Sequence, residues 1–113
     1  MIAHQRAAFA KGIADGVKIV LGTDVGGFSW DVNQAVELKR MVDAGMSTMQ
    51  TIKASTTVAA ELLGMKGRLG EIVPGAYADI IAAEGDPLKD ISTLEHVQFV
   101  MKDGKIYKNA VAR

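Results

Sequence analysis

The sequence predicts an α/β protein in two parts, a helical part with one strand over residues 1–65 and a β-rich part over residues 66–113. Three observations predict this organisation. A single run of β-branched and aliphatic residues, Val17 to Leu21, lies between two stretches with helical spacing. Apolar residues then recur at helical spacing as far as Gly64. From Gly67 onward, glycine, proline and aspartate interrupt the chain every few positions, which is typical of short strands joined by turns.

The first predicted helix covers residues 2–15, where Ile2, Phe9 and Ile13 form a weak apolar stripe. The run from Val17 to Leu21 follows at once. It predicts a buried strand, because β-branched and aliphatic side chains suit a pleat that is covered on both faces. Glycines stand where three helical patterns end and predict left-handed caps at these positions: Gly16, Gly45 and Gly64.

Two further helices carry start signals of the capping-box type. Asp31 is a predicted N-cap with Gln34 three residues later, ahead of an apolar stripe that includes Leu38 and Met41. Ser47 and Gln50 have the same spacing and predict the start of a short helix. A last helix is expected over residues 58–63.

The β-rich part is predicted from its turns. Pro74-Gly75 suits the central pair of a type II turn. Asp103-Gly104 predicts a two-residue hairpin, because both residues accept the positive φ angles of a type I′ turn. Short strands are expected between the turns: residues 71–73, 78–83, 97–101 and 106–108.

One strand flanked by helices cannot form a sheet alone, because it leaves both of its edges unpaired. Three or four short strands likewise make only part of a sandwich. We therefore expect this chain to be the C-terminal end of a larger protein.

Composition excludes several classes of function. Thirteen basic and thirteen acidic residues cancel, so no charge field indicates nucleic acid or an anionic membrane as a partner. Cysteine is absent, which excludes disulfides and thiolate metal sites and fits a cytoplasmic location. His4, Gln5 and Arg6 interrupt the region in which a signal peptide would need an apolar core. We expect a cytoplasmic protein.

Asp24 is the first candidate for a functional residue. It follows the predicted strand directly, and α/β proteins place their chemistry beyond the carboxyl ends of such strands. From the residues alone, a turn or cap role for Asp24 stays open beside a catalytic one. His4 and His96 have no second ligand at metal-binding spacing, so both are expected to be surface histidines.

Several motifs in combination resemble the amidohydrolase superfamily. They are Gly22-Thr23-Asp24 after the predicted strand, Ala59-Ala60-Glu61-Leu62-Leu63-Gly64, and the stretch from Gly67 to Asp79 with its Gly-x-Leu-Gly and Pro-Gly-Ala-Tyr-Ala-Asp elements. The resemblance is closest to the branch of imidazolonepropionase-like enzymes and metal-dependent prolidases or carboxypeptidases. It covers the chain from about Ala14 to Lys108.

The resemblance implies that residues 1–65 are the end of a (β/α)8 TIM barrel with Val17 to Leu21 as its eighth strand. Residues 66–113 would be the C-terminal part of a composite β-sandwich. It also implies one or two divalent metal ions, zinc being expected, held by histidines, a lysine and a strand-8 aspartate. Only the aspartate has a counterpart, Asp24, which would bind metal and shuttle a proton during hydrolysis of a C–N bond. The isolated chain would then be inactive.

The loop after Asp24 bears on the substrate. Many imidazolonepropionase-like relatives have His-Gly-x-Asn here, and Asn33 fits this pattern while the histidine is missing. The Gly-Gly-Phe-Ser-Trp sequence resembles the peptidase-type relatives more closely. We therefore expect a dipeptide or acyl-amino acid as substrate, with Phe28, Trp30 and Asn33 as substrate-binding residues; simple loop packing is the alternative for Phe28 and Trp30.

Two other functions stay open from the sequence. The protein is in one case an imidazolonepropionase-like hydrolase of a cyclic amide. In the other it is a non-catalytic fragment that associates with itself to bury its unpaired strand edges and apolar helix faces. A homo-oligomer is expected in either setting.

Overall fold

A computed structural model describes residues 3–111 of the chain. The elements follow one another in this order: α1 (Ala3–Ala14), α2 (Val36–Asp43), α3 (Thr48–Ser55), α4 (Thr57–Leu62), β1 (Ile80–Ala83), a 3-10 helix (Ile91–Glu95), β2 (Val97–Lys102) and β3 (Lys105–Asn109). Within the described residues, the α-helices thus precede residue 65 and the strands follow it. The assignment of these two stretches to separate domains stays a prediction.

The predicted glycine caps are confirmed. At the end of α1, the Gly16 N–H donates to the Ile13 carbonyl and the Val17 N–H to the Gly12 carbonyl. These are the two hydrogen bonds of a Schellman motif, and the φ angle of Gly16 is +74°. Gly45 and Gly64 end α2 and α4 with the same pair of bonds. Ile2, which the sequence analysis included in the first helix, lies outside the described residues.

The predicted buried strand at Val17 to Leu21 is wrong for the described chain. Residues 17–24 have no regular secondary structure, and the Val17 side chain is 59% exposed. A strand exists only through hydrogen bonds to a neighbouring strand, and residues 3–111 offer this segment none. Besides the bond from the Val17 N–H to the end of α1, its described backbone bond to another element runs from the Leu21 N–H to the Ala54 carbonyl, 3.1 Å away.

The hydrophobic core lies between this segment and the helices. Met41, Met46 and Ala54 are buried and form a cluster, with exposed fractions of 4%, 8% and 1%. Partly buried side chains from α1 and from the segment before Asp24 pack against the cluster: Phe9, Ile13, Ile19 and Leu21. Ile19 and Leu21 of this segment therefore pack on the core as expected, although the segment is not a strand and Val17 is exposed.

The two predicted capping boxes have different outcomes. The Ser47 hydroxyl accepts from the Gln50 N–H while the Gln50 side chain accepts from the Ser47 N–H, so the box at the start of α3 is confirmed. The box at Asp31 is wrong, because α2 begins only at Val36 and its N-cap, Ala35, makes no side-chain cap bond. Successive turns over residues 29–36 occupy the chain before the helix.

The three strands form one antiparallel sheet in the order β1–β2–β3, and its hairpin has the predicted geometry. Asp103 and Gly104 have φ angles of +49° and +78°, as a type I′ turn requires. The predicted strand at residues 71–73 is wrong, since these residues pair with no strand of the described chain and the Ile72 side chain is 80% exposed. The turn at Pro74-Gly75 is present, with a Gly75 φ angle of +89°.

The helices and the β-rich part are joined at two close contacts. The backbone at Gly70 lies so near α3 and α4 that a Cβ atom there would be 2.5 Å from the carbonyl carbon and oxygen of Thr56. The 3-10 helix packs against α2, and its Ile91 side chain is only 2% exposed. These contacts place the 3-10 helix beside the loop that follows Asp24.

Candidate functional site

Asp24 ends the core-packed segment in an unusual backbone conformation. Its φ angle is +54°, in the left-handed region that only glycine adopts without cost and that aspartate and asparagine enter more easily than other residues. The residue is exposed. Its carboxylate makes no hydrogen bond or ion pair within residues 3–111. An acidic group is thus presented to solvent by a strained backbone at the end of a packed segment.

The loop of residues 25–35 connects Asp24 to α2 through a series of local turns. The Gly27 N–H donates to the Asp24 carbonyl over 3.3 Å, and the Val32 N–H donates to the Ser29 carbonyl over the same distance. The hydroxyl of Ser29 bonds to the carboxylate of Asp31, which holds the pKa of that carboxyl below its usual value of 3.8. Asp31 therefore serves the loop rather than the helix start.

A pocket of about 270 Å³ lies between this loop and α2. Phe28 and Asn33 line it, together with Thr23, the residue before Asp24. Asp24 and Trp30 are outside its lining, and the Trp30 side chain is 76% exposed. The structure therefore brings two of the four predicted site residues to one pocket and leaves Asp24 and Trp30 beside it.

Asn33 is held from both ends of its side-chain amide. Its Oδ1 accepts from the Ala35 N–H over 3.0 Å, which is an Asx turn at the entry to α2. Its Nδ2 donates over 2.9 Å to the backbone carbonyl of Glu95, which ends the 3-10 helix.

The polar residues that complete the pocket were not among those expected from the sequence. Glu37 and Arg40 line it from α2, and the Arg40 guanidinium lies 3.3 Å from the Glu37 carboxylate. Gln34 also lines the pocket, and its Oε1 atom is buried without a hydrogen-bond partner among the described residues. The three-residue spacing of Glu37 and Arg40 predicts from the sequence that they share one face of a helix. It does not predict that this face meets the loop.

The described residues do not fit a metal site on their own. Residues 3–111 contain no group of three or more histidine, aspartate or glutamate side chains that could hold a metal ion together. His4 and His96 are both exposed, as expected. Asp24 could contribute one carboxylate to a site whose other ligands lie elsewhere. Every helix within the described range is too short or too polar to cross a membrane.

Comparison with known proteins identifies relatives over nearly the whole chain. The profile of the amidohydrolase family matches residues 1–107. Ochratoxinase from Aspergillus niger is 38% identical over 108 residues, which cover 89% of this chain and 22% of that protein. An adenine deaminase from Moorella thermoacetica is 35% identical over 69 residues, which cover 61% of this chain and 11% of that protein.

Solved structures of hydrolases match the fold. A Xaa-Pro dipeptidase with methionine in its active site has a TM-score of 0.85 at 40% identity, over 92% of this chain and 25% of that one. A prolidase complexed with N-methylphosphonate-L-proline has a TM-score of 0.82 at 30% identity, over 92% and 26% of the two chains. The chain thus spans about a quarter of the length of these relatives. It belongs to the amidohydrolase family.

Proposed function

We propose that this chain forms part of a metal-dependent amidohydrolase that cleaves the C–N bond of a dipeptide or an acyl-amino acid. Membership of the amidohydrolase family and the likeness to a Xaa-Pro dipeptidase at 40% identity support an amide bond as the target. In the same reading, residues 17–21 are the eighth strand of a (β/α)8 barrel, and they become a strand when a neighbouring strand pairs with them. Phe28 and Trp30 remain the proposed walls of the substrate site.

One observation carries the role of Asp24 in this proposal. A non-glycine residue with positive φ is uncommon, and backbone strain of this kind clusters at functional sites. Asp24 combines this backbone with an exposed carboxylate that has no partner in the described chain. We propose that Asp24 is a metal ligand and that it accepts a proton from the attacking water and passes it to the departing amine nitrogen.

The metal is part of the proposal, with zinc as the expected ion. Asp24 is the single ligand that the described residues offer, so the remaining ligands would come from outside this chain. A bound divalent ion would supply the Lewis acid for hydrolysis. Because one carboxylate does not make a metal site, the 113-residue chain alone is expected to be inactive and to carry no stoichiometric metal.

Large exposed apolar side chains support the view that this chain packs against further protein. Leu62 and Leu63 at the end of α4 are 70% and 68% exposed, and Ile72 is 80% exposed. Exposed apolar side chains that stand together, as the adjacent Leu62 and Leu63 do, mark contact surfaces. The homo-oligomeric state and the cytoplasmic location remain predictions, and molar mass as a function of concentration tests the first of them.

The decisive experiment is a comparison of substrates with the complete natural protein and added zinc. Xaa-Pro and other dipeptides, acyl-amino acids and a cyclic imidazolone amide are assayed at equal concentration. Turnover of dipeptides or acyl-amino acids, abolished by a chelator and restored by zinc, is the expected result. Turnover of the cyclic amide alone would favour the imidazolonepropionase-like alternative, and no turnover of any amide would contradict the proposal.

A further inference from the structure

We infer that Asn33 is a positioning residue, which fixes the loop after Asp24 by tying it to the 3-10 helix of the β-rich part. This inference rests on the proposed function, because the loop to be positioned begins at the proposed catalytic aspartate. It assigns Asn33 a role in which the side chain acts through the loop and does not itself contact the substrate.

The two ends of the Asn33 amide have separable tasks. The oxygen Oδ1 accepts from the Ala35 N–H at 3.0 Å and so shapes the entry into α2. The nitrogen Nδ2 donates to the Glu95 carbonyl at 2.9 Å, across 62 positions of sequence. The first bond is local and belongs to the start of the helix. The second bond, which we call the tether, connects the loop to a distant part of the fold.

The tether has no substitute in the described chain. The other hydrogen bonds of residues 25–35 within the described range stay inside the loop or run to its two neighbours, Asp24 and the first turn of α2. Between Asp24 and Asn33 the loop contains two glycines and mostly exposed side chains, so apolar packing holds it weakly. Loss of the tether should therefore loosen this loop more than any other part of the described chain.

The anchor at the other end of the tether is well fixed. The 3-10 helix is capped by Asp90, whose Oδ1 accepts from the Ser92 N–H at 3.0 Å. Ile91 buries its side chain to 2% exposure where this helix meets α2. A second bond, from the Thr48 hydroxyl to the Leu88 carbonyl at 2.9 Å, holds the approach to the 3-10 helix against α3. A fixed anchor transmits position, so the tether sets where the loop lies.

The tether also fixes one wall of the pocket, since Asn33 lines it together with Thr23 and Phe28. A displacement of about 1 Å in groups that orient a reaction can cost on the order of 100-fold in rate. We therefore expect that losing the tether lowers kcat roughly 10- to 100-fold through misplacement of the loop and of Asp24. KM should change by a smaller factor than kcat, because a loosened Phe28 or Trp30 weakens substrate binding whereas a misplaced Asp24 impairs the chemical step itself.

The variants Asn33→Asp and Asn33→Ala separate the two tasks in the complete natural protein. Aspartate keeps the oxygen that accepts from Ala35 but replaces the donor to Glu95 by a second oxygen. This oxygen and the Glu95 carbonyl are both acceptors, so no hydrogen bond forms between them. Alanine removes both bonds. Asn109→Asp, the same chemical change at an exposed position of β3, is the matched control. Dipeptide hydrolysis is measured as kcat and KM.

A positioning role predicts that both Asn33 variants lose kcat to a similar extent with a smaller change in KM, while Asn109→Asp behaves as the wild type. If Asn33→Asp retains wild-type kcat and only Asn33→Ala is impaired, the residue is merely a helix cap and the inference is wrong. If KM rises with kcat unchanged, the position of Asp24 does not depend on the tether and the inference is also wrong.

Hydrogen exchange of residues 25–32 provides a readout that needs no activity. Faster exchange of these amides in Asn33→Asp, and not in Asn109→Asp, is expected from loss of the tether. Unchanged exchange would contradict the inference whatever the kinetics. A wild-type protein that is inactive on every amide, but whose loop still loosens in Asn33→Asp, would refute the proposed function and leave the tether itself intact.

Discussion

Asp24 and Asp103 share an unusual backbone conformation but differ in the hydrogen bonds and the secondary structure around it. Their φ angles are +54° and +49°, and they are the two non-glycine residues with positive φ within residues 3–111. The Asp103 N–H donates to the Asp79 carboxylate at 2.8 Å, and the neighbouring Lys102 forms an ion pair with that same carboxylate at 2.6 Å. Nothing in the described chain compensates Asp24 in this way.

The difference teaches how strain and function are related in this chain. At Asp103 the left-handed backbone is what a two-residue hairpin needs, and the strands on either side stabilise it. At Asp24 no hairpin requires the conformation. A strained residue that the local structure does not require is a better candidate for function than one that it does.

The sharpest test exchanges each aspartate for asparagine. Both residue types tolerate positive φ, so stability should change by no more than about 0.5 kcal/mol in either variant. In the complete natural protein, Asp24→Asn should lower the hydrolysis rate by about 100- to 10,000-fold, because the carboxylate that takes the proton is lost. Asp103→Asn should leave the rate unchanged. Equal activity of the two variants would remove the distinction between the sites.

A second test measures how tightly the β-rich part, which contains Asp103, packs against the helices. Gly70 and Gly67 have φ angles of +78° and +76°, but only Gly70 approaches the Thr56 backbone. The variant Gly70→Ala should therefore lose about 1–3 kcal/mol more of the free energy of unfolding than Gly67→Ala. Urea denaturation of both variants measures the difference. Equal losses would mean that the backbone at Gly70 moves away without cost.

The smallest expected effect concerns acid. The hydrogen bond from Lys102 holds the pKa of the Asp79 carboxyl below its usual 3.8, and the bond from the Asp103 N–H acts in the same direction. A carboxyl whose pKa is lowered by folding stabilises the fold above its unfolded pKa, and this contribution disappears as the pH falls through the lowered value. Thermal unfolding from pH 5 to pH 2 should therefore depend less on pH in Asp79→Asn than in the wild type.

Exposure keeps this effect small, since the pair is partly screened by solvent. Glu84→Gln, a change at an exposed carboxylate, serves as the control and should retain the pH dependence of the wild type. If Asp79→Asn also retains the pH dependence of the wild type, the strands alone stabilise the turn and the Asp79 carboxylate does not contribute.

Local signals in the sequence predicted local structure well. The capping box of Ser47 and Gln50 and the hairpin at Asp103-Gly104 each depend on bonds between residues a few positions apart, so the sequence contains all the partners. Asp31 shows the limit of this approach. It has the spacing of a capping box, but its carboxylate bonds to Ser29, and the turn at Asn33 delays the helix to Val36.

Structure that depends on distant partners was not predictable. Residues 17–21 and 71–73 have strand-like sequences, but strand formation needs a neighbour that residues 3–111 do not supply. In the candidate site, the position of Asp24 at the end of a core-packed segment was predictable from the run of apolar residues before it. The bond from Asn33 to Glu95 did not, because no local pattern relates residues 62 positions apart.

The unpaired segment before Asp24 also matters for solubility. Val17, Ile19, Val20 and Leu21 form an apolar, β-prone run that pairs with no strand of the described chain, and such a run is the sequence signature of an aggregating segment. Lys18 interrupts this run, and its ammonium group is held 2.8 Å from the Glu61 carboxylate on α4. A charge in the middle of such a run acts as a gatekeeper against intermolecular stacking. Lys18 therefore protects the chain while this segment has no neighbouring strand.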